Sequence, residues 1–168
     1  MSGVTASVAG PADWPEVVAL RTRVFVDEQG VPPEVEQDGR DAAAVHAVSR
    51  DASGRLVATG RLLLRDDGTA TIGRMAADAA VRGRGHGAAV LAELHRQAAE
   101  RGVTEVELHA QVAARTFYER AGYAAVGNVF EEAGIAHVTM RRAIAGAGGS
   151  GVTDRSGCEE TRPVRPSE

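Results

Sequence analysis

The sequence predicts a mixed α/β domain, and three observations carry that prediction. The runs "VHAVSR" and "RLVATGRLLL" are strand-like and separated by the turn "DASG", and "TATIGRMAA" follows the turn "DDG", which together make an antiparallel meander. A helical run and then the alternating segment "TEVELHAQ" come next, so a strand, helix, strand crossover joins the same sheet. With 168 residues and no internal repeat, the chain suits one domain with a sizeable core.

Each element has its own warrant. "TASVA" is a short first strand, and "ADWPEVVALRTRVF" is a helix that Asp13 and Glu16 are spaced to start as a capping box. Val17, Leu20 and Val24 share one face of that helix. After the meander, Val90, Leu91, Leu94 and Ala98 recur at helical spacing until Gly102 caps the helix. "AARTFYERAG" is a short helix closed by Gly122, and the last two strands carry "YAAVGNVF" and "AHVTMRRA". The domain spans residues 1–144, because residues 145–168 are small, polar and proline-rich, with no apolar period to bury, and are expected to be disordered.

Composition narrows the function. A net charge of −4 is not the footprint of a nucleic-acid-binding protein, so any basic site is local. No apolar run approaches the roughly 18 residues of a membrane span, and "MSGVTASVAG" has no basic segment leading into an apolar one, so a cytoplasmic protein without membrane contact is expected. The only cysteine, Cys158, leaves no internal disulfide, and no histidine spacing resembles a metal site. The final strands leave an edge on which two copies could pair as a homodimer.

The segment "VRGRGHGAAV", residues 81–90, concentrates the unusual chemistry. Gly83, Gly85 and Gly87 let the backbone take conformations closed to other residues and approach a ligand closely. The helix that follows supplies unpaired N–H groups and the positive end of its dipole, and Arg82 and Arg84 add charge. Together these make an anion cradle. The same residues would serve a flexible strand-to-helix connection, and the motif alone does not decide. There is no G-K-[ST], and the spacing misses G-x-G-x-x-G, so neither a P-loop nor a dinucleotide fold accounts for it.

"MAADAAVRGRGHGAAVL" resembles the signature of the GNAT acyltransferases, R/Q-x-x-G-x-G/A after a strand, matched here by Arg82, Gly85 and Gly87. Downstream, "QVAARTFYERAGY" is similar to that family's N-x-x-A-x-x-x-Y-x-x-x-G-F/Y element, with Ala114, Tyr118, Gly122 and Tyr123 in register, Gln111 in place of Asn, and Ala79 where a proline is common before the loop. "RTRVFVDEQGVPPEVEQDGRDAAAVHAV" and "NVFEEAGIAHVTM" look like the ElaA branch, so the resemblance covers roughly Trp14 to Arg142. It implies the acyl-CoA N-acyltransferase fold: a mostly antiparallel sheet with a central parallel pair, flanked by helices. It also implies acetyl-CoA as co-substrate, no metal, and a small-molecule or peptide amine as acceptor.

The resemblance assigns roles along the site. Backbone groups of Arg82, Gly83, Arg84, Gly85, His86, Gly87 and Ala88 would hold the diphosphate. Met75, Ala76 and Ala77, on the strand before the loop, would offer N–H groups to pantetheine and thioester. A backbone donor there acts as an oxyanion hole, typically worth a few kcal/mol. Tyr118 takes the position of the acid that protonates the leaving thiolate. For the base that deprotonates the amine, Glu28, Glu36, Asp38 and Asp41 cluster on the acceptor side. Among them Glu28 is preferred, because "VFVDEQ" ties it to an apolar helix end that could desolvate it. His109, at the end of its strand, is a further candidate base, whereas His46 and His137 read as structural. Two other readings stay open. One is a non-catalytic acyl-CoA-binding regulatory module. The other is an enzyme like the acyl-homoserine-lactone synthases, to which "RTRVFVDEQ" with the following acids and Arg61 also bears a likeness.

Overall fold

The computed structural model describes residues 3–145, so the expectation of a disordered tail, and Cys158 with it, lies outside the described residues. One seven-stranded sheet runs through the domain: β1 (Ala6–Val8), β2 (Val45–Arg50), β3 (Leu56–Leu64), β4 (Thr69–Ala77), β5 (Glu105–Gln111), β6 (Ala124–Glu132) and β7 (Ile135–Ala143). Their spatial order is β1-β2-β3-β4-β5-β7-β6, so β6 forms an edge. Every neighbouring pair is antiparallel except β4 with β5. The expected mixed sheet with a central parallel pair is therefore present.

The helices are α1 (Trp14–Arg21), α2 (Pro33–Glu36), α3 (His86–Glu100) and α4 (Arg115–Arg120). The face predicted for α3 is buried in full: Val90, Leu91, Leu94 and Ala98 pack with Leu62, Ile72, Val106, Leu108, Val138 and Met140. Gly102 ends that helix at φ 73°, and Val103 N–H returns to the Ala98 carbonyl at 3.0 Å. On the opposite face of the sheet, Val17, Leu20 and Val24 pack against Val48, Leu56 and Ala76. None of these helices is long and apolar enough to cross a membrane.

Two local expectations for the first helix are corrected. Asp13 and Glu16 do not close a capping box. The turn Pro11–Asp13 leaves Asp13 at φ −81°, ψ −16°, which is helical rather than extended, and Pro15 has no N–H to donate. Both carboxylates instead take Arg50 from the end of β2, Asp13 at 2.6 Å and Glu16 at 2.9 Å. The helix also does not stop near Phe25. It widens into a π-helical stretch, Thr22–Glu28. The short helix α2 had no warrant in the periodicity, being a single turn opened by Pro33.

The feature that shapes the site is a β-bulge. Thr59 and Arg61 of β3 face Ala76 and Gly73 of β4, so β4 carries one extra residue there. Arg74 takes φ 52° at that point. Ala70 and Ile72 point into the core, and regular alternation would send Arg74 after them. The bulge hands that core place to Met75 and turns Arg74 to the other face. Opposite, Gly60 has no room for a Cβ, which would strike Met75 and come within 2.9 Å of Leu94 and 3.0 Å of Val90.

Candidate active site

Strands β4 and β5 pair only from Thr69 with Glu105 to Ile72 with Leu108. Beyond that point β4 bends away at its bulge, and one edge of Gly73–Ala77 faces an opening instead of a strand. A cavity of about 550 Å³ occupies the opening and the sheet face beside it, lined among others by Met75, Gln29, Gln111, Tyr118, His109 and His137. The three residues read as thioester-binding, Met75, Ala76 and Ala77, lie on this parted segment.

The glycine loop follows directly. Asp78 accepts from Ala80 N–H at 3.1 Å and caps the turn Ala79–Val81. Gly83 and Gly85 then take φ 82° and 91°, left-handed values that side chains strain to adopt. A Cβ at either would meet open space, so these two glycines are required by conformation and not by crowding. Ala89 N–H makes the first helical bond, to Gly85 at 3.0 Å, which leaves the N–H groups of His86, Gly87 and Ala88 without a partner among the described residues. The His86 side chain turns inward to Ser49 Oγ at 2.8 Å, so only its backbone can serve the cradle.

Tyr118 is 8% exposed and lines the cavity. Phe117 and Tyr123 hold its ring edge-on, with centroids 5.0 and 5.9 Å away. Burial pushes its phenol up to about 12, so it keeps its proton near neutral pH. Gln111, in the place of the usual Asn, forms a reciprocal amide pair with Gln29 across the cavity wall, at 3.0 and 3.4 Å.

The acidic residues are arranged otherwise than the sequence suggested. Glu28 is exposed, and both its oxygens accept from Arg82 at 2.9 and 2.8 Å, while Arg82 Nε donates to the Ala77 carbonyl at 3.1 Å. The apolar enclosure expected around Glu28 is absent, because the π-helical widening ends with this residue facing the loop. Glu36, Asp38 and Asp41 are not free either. They alternate with Arg21, Arg61 and Arg74 in a closed ring of ion pairs: Glu36 to Arg21, Arg21 to Asp41 at 2.8 Å, Asp41 to Arg61 at 3.1 Å, Arg61 to Asp38 at 2.7 Å, Asp38 to Arg74 at 3.4 Å and Arg74 back to Glu36 at 3.8 Å. A hydrogen bond from Arg61 holds the Asp38 carboxyl well below the usual range. Burial pushes Asp41 up, but Arg21 and Arg61 outweigh it and its carboxyl lies low as well. Neither can take a proton from an amine near neutral pH. Arg21 and Arg74 were not legible as site residues; Arg74 alone left a clue, a charge at a core position of a strand.

A second cluster lies on the cavity wall. His109 Nδ1 is 3.3 Å from both oxygens of Glu132, and His137 Nε2 is 3.8 Å from Glu132 Oε2. No group of three His, Cys, Asp or Glu close enough to hold a metal ion is present among the described residues.

The mixed sheet with one parallel pair matches what comparison finds. The family model described as "Acetyltransferase (GNAT) domain" fits residues 14–144. The chain belongs to the GNAT acetyltransferase family. A UPF0039 protein of Schizosaccharomyces pombe is 35% identical over 130 residues, 75% of this chain and 85% of its own length. Among solved structures, Escherichia coli ElaA superposes with a TM-score of 0.72 at 28% identity, covering 83% of this chain and 99% of ElaA. An acyl-CoA N-acyltransferase from Pseudomonas aeruginosa superposes at 0.69 with 37% identity, covering 83% and 99%. The GNAT assignment carries acyl transfer from an acyl-CoA to an amine.

Proposed function

We propose that this chain transfers an acetyl group from acetyl-CoA to a primary amine of a small molecule or peptide. The observation that carries the proposal is the parted β4 segment, whose Met75 lines one cavity with the Tyr118 phenol and which runs on directly into the glycine loop at the start of α3. The residues present fit the co-substrate. Left-handed Gly83 and Gly85, the N–H groups of His86, Gly87 and Ala88, and the cations of Arg82 and Arg84 suit a diphosphate. Bound acetyl-CoA supplies the activated acetyl group. Backbone N–H groups on the open edge of the Met75–Ala77 segment would donate hydrogen bonds to the pantetheine chain and to the thioester oxygen. Tyr118 holds a proton for the departing sulfur.

Glu28 takes a different part from a general base: it holds Arg82 beside the end of β4, where a diphosphate would replace the carboxylate. The test is release of free CoA thiol from acetyl-CoA by the purified protein against amines, polyamines, amino sugars and peptides, with acetyl-CoA affinity measured by calorimetry. Thiol release that depends on one acceptor class supports the enzyme. Tight binding with no release from any class would replace it with a non-catalytic acyl-CoA-binding module.

A further inference from the structure

We infer that His137 takes the proton from the acceptor's ammonium group, with Glu132 and His109 positioning that group and passing the proton to solvent; this rests on the proposed transfer to a primary amine. Aliphatic amines are almost wholly protonated near neutral pH, so one proton must leave before the nitrogen has a pair to share. His137 is 8% exposed, and its Nδ1 lies 2.7 Å from the Ile135 carbonyl. A carbonyl only accepts, so Nδ1 carries the ring hydrogen and the neutral ring presents a bare Nε2. That Nε2 faces Glu132 at 3.8 Å, too far for a hydrogen bond and close enough to stabilise an imidazolium. Phe130 stacks on His137 at 6.0 Å and meets His109 edge-on at 5.1 Å, which fixes both rings.

The register places these groups on the cavity side of adjacent strands. Gln111 of β5 lies opposite His137 of β7, and Phe130 of β6 lies opposite the same histidine. The charged or titratable groups facing it are Glu132 from β6 and His109 from β5, with Glu107 of β5 and Arg141 of β7, themselves paired at 2.9 Å, further along the same face. In the step proposed, an N–H bond of the ammonium breaks, an Nε2–H bond forms, and the electron pair stays on the amine nitrogen. The proton then leaves by Glu132 and His109, whose side chains are 50% and 44% exposed. Overall, one thioester and one ammonium become one amide, one thiol and one released proton.

The test compares wild type, His137→Gln and Glu132→Gln with two amines, ethylamine and trifluoroethylamine, of which only the second is largely neutral at neutral pH. With ethylamine, kcat/KM for His137→Gln should fall about a hundredfold near neutral pH, and the deficit should shrink as pH approaches the amine's own pKa. With trifluoroethylamine the two proteins should agree within about twofold. Glu132→Gln, at an exposed position, should move the acidic limb of the ethylamine rate profile to lower pH, because the imidazolium loses its counter-ion. Acetyl-CoA affinity should not change in either variant. Equal losses with both amines at every pH would overturn the inference and leave His137 a wall of the cavity. Acetyl-CoA binding by the wild type with no thiol release from these two amines or from any of the acceptor classes above would overturn the transfer reading beneath it.

Discussion

Replacing Tyr118 by Phe removes one oxygen and keeps a ring that two aromatic neighbours hold edge-on. Burial is the sole cause of the raised phenol pKa, and no hydrogen bond of the hydroxyl is present among the described residues, so its loss strands no partner. The melting temperature at neutral pH should therefore hold or rise slightly. A phenol raised from 10 to about 12 stays protonated in the fold while the unfolded chain ionises. Its stabilisation is complete below pH 10 and is lost as pH rises toward 12, by about 3 kcal/mol at most. Urea unfolding should thus lose less stability between neutral and alkaline pH in Tyr118→Phe than in wild type. Turnover should fall about ten- to a thousandfold, while acetyl-CoA affinity by calorimetry changes little. Phe117→Leu next door is the control: it should lower stability more than the rate on folded enzyme. Wild-type turnover by Tyr118→Phe with a verified acceptor would refute the assignment of the acid. Parallel loss of affinity and rate would make the hydroxyl a ground-state contact.

Glu28→Gln should tighten acetyl-CoA binding about two- to fivefold, since the diphosphate no longer competes with a paired carboxylate of ordinary surface strength; calorimetry showing weaker binding would mean that Glu28 orients Arg82 productively. Arg61→Met should lower stability by about 3–5 kcal/mol in urea unfolding, because Asp38 and Asp41 lose a buried cation, and a change under 1 kcal/mol would show the ring to be dispensable. His95 accepts from Arg142 at 2.7 Å, and burial together with that guanidinium brings its pKa down to about 4. The fold keeps it neutral, so stability is full above pH 6.5 and is lost as pH falls toward 4, by about 1–2 kcal/mol once solvent screening is allowed for. His95→Gln should flatten that part of the stability curve, and an unchanged slope would place the acid sensitivity elsewhere.

The periodic parts of the fold were legible because burial writes them into the sequence. Val17, Leu20 and Val24, and Val90 through Ala98, fall on the faces that spacing alone selects. Breaks of period were legible only as anomalies. In "TATIGRMAA" the alternation that buries Ala70 and Ile72 would bury Arg74, and a charge in a core place is the signature of a bulge. The acids of the second loop could be read as a cluster, but their partners come from positions 21, 61 and 74, which nothing local connects. Glu28 misled for a related reason. Adjacency to apolar residues along the chain says nothing of direction once a helix widens to the π form, and the side chain emerges beside Arg82. His137, set aside as structural, gave no sign in sequence of a bare Nε2, because that follows from the Ile135 carbonyl two residues away in a turned strand.

The ion ring and the bulge explain one another. A non-glycine residue at φ 52° costs on the order of 1–3 kcal/mol, and that conformation is what parts β4 from β5. Arg74 recovers the cost through its side chain, which donates to the Glu36 carbonyl at 3.0 Å and the Val35 carbonyl at 3.2 Å and closes the ring with Asp38 and Glu36. Burial lowers the Arg74 pKa, and the neighbouring Arg61 adds to that. The cluster tolerates three guanidiniums only because three carboxylates alternate with them. Carboxylates that looked like bases for the amine are thereby committed to holding the geometry of the strand proposed to bind the thioester. The amine's proton is left to groups on the other wall, where β5, β6 and β7 bring two imidazoles around one exposed carboxylate. The two sets of charges are thus built from different elements, one alternating acids and guanidiniums around the bulge of β4, the other gathering two imidazoles and a carboxylate from β5, β6 and β7.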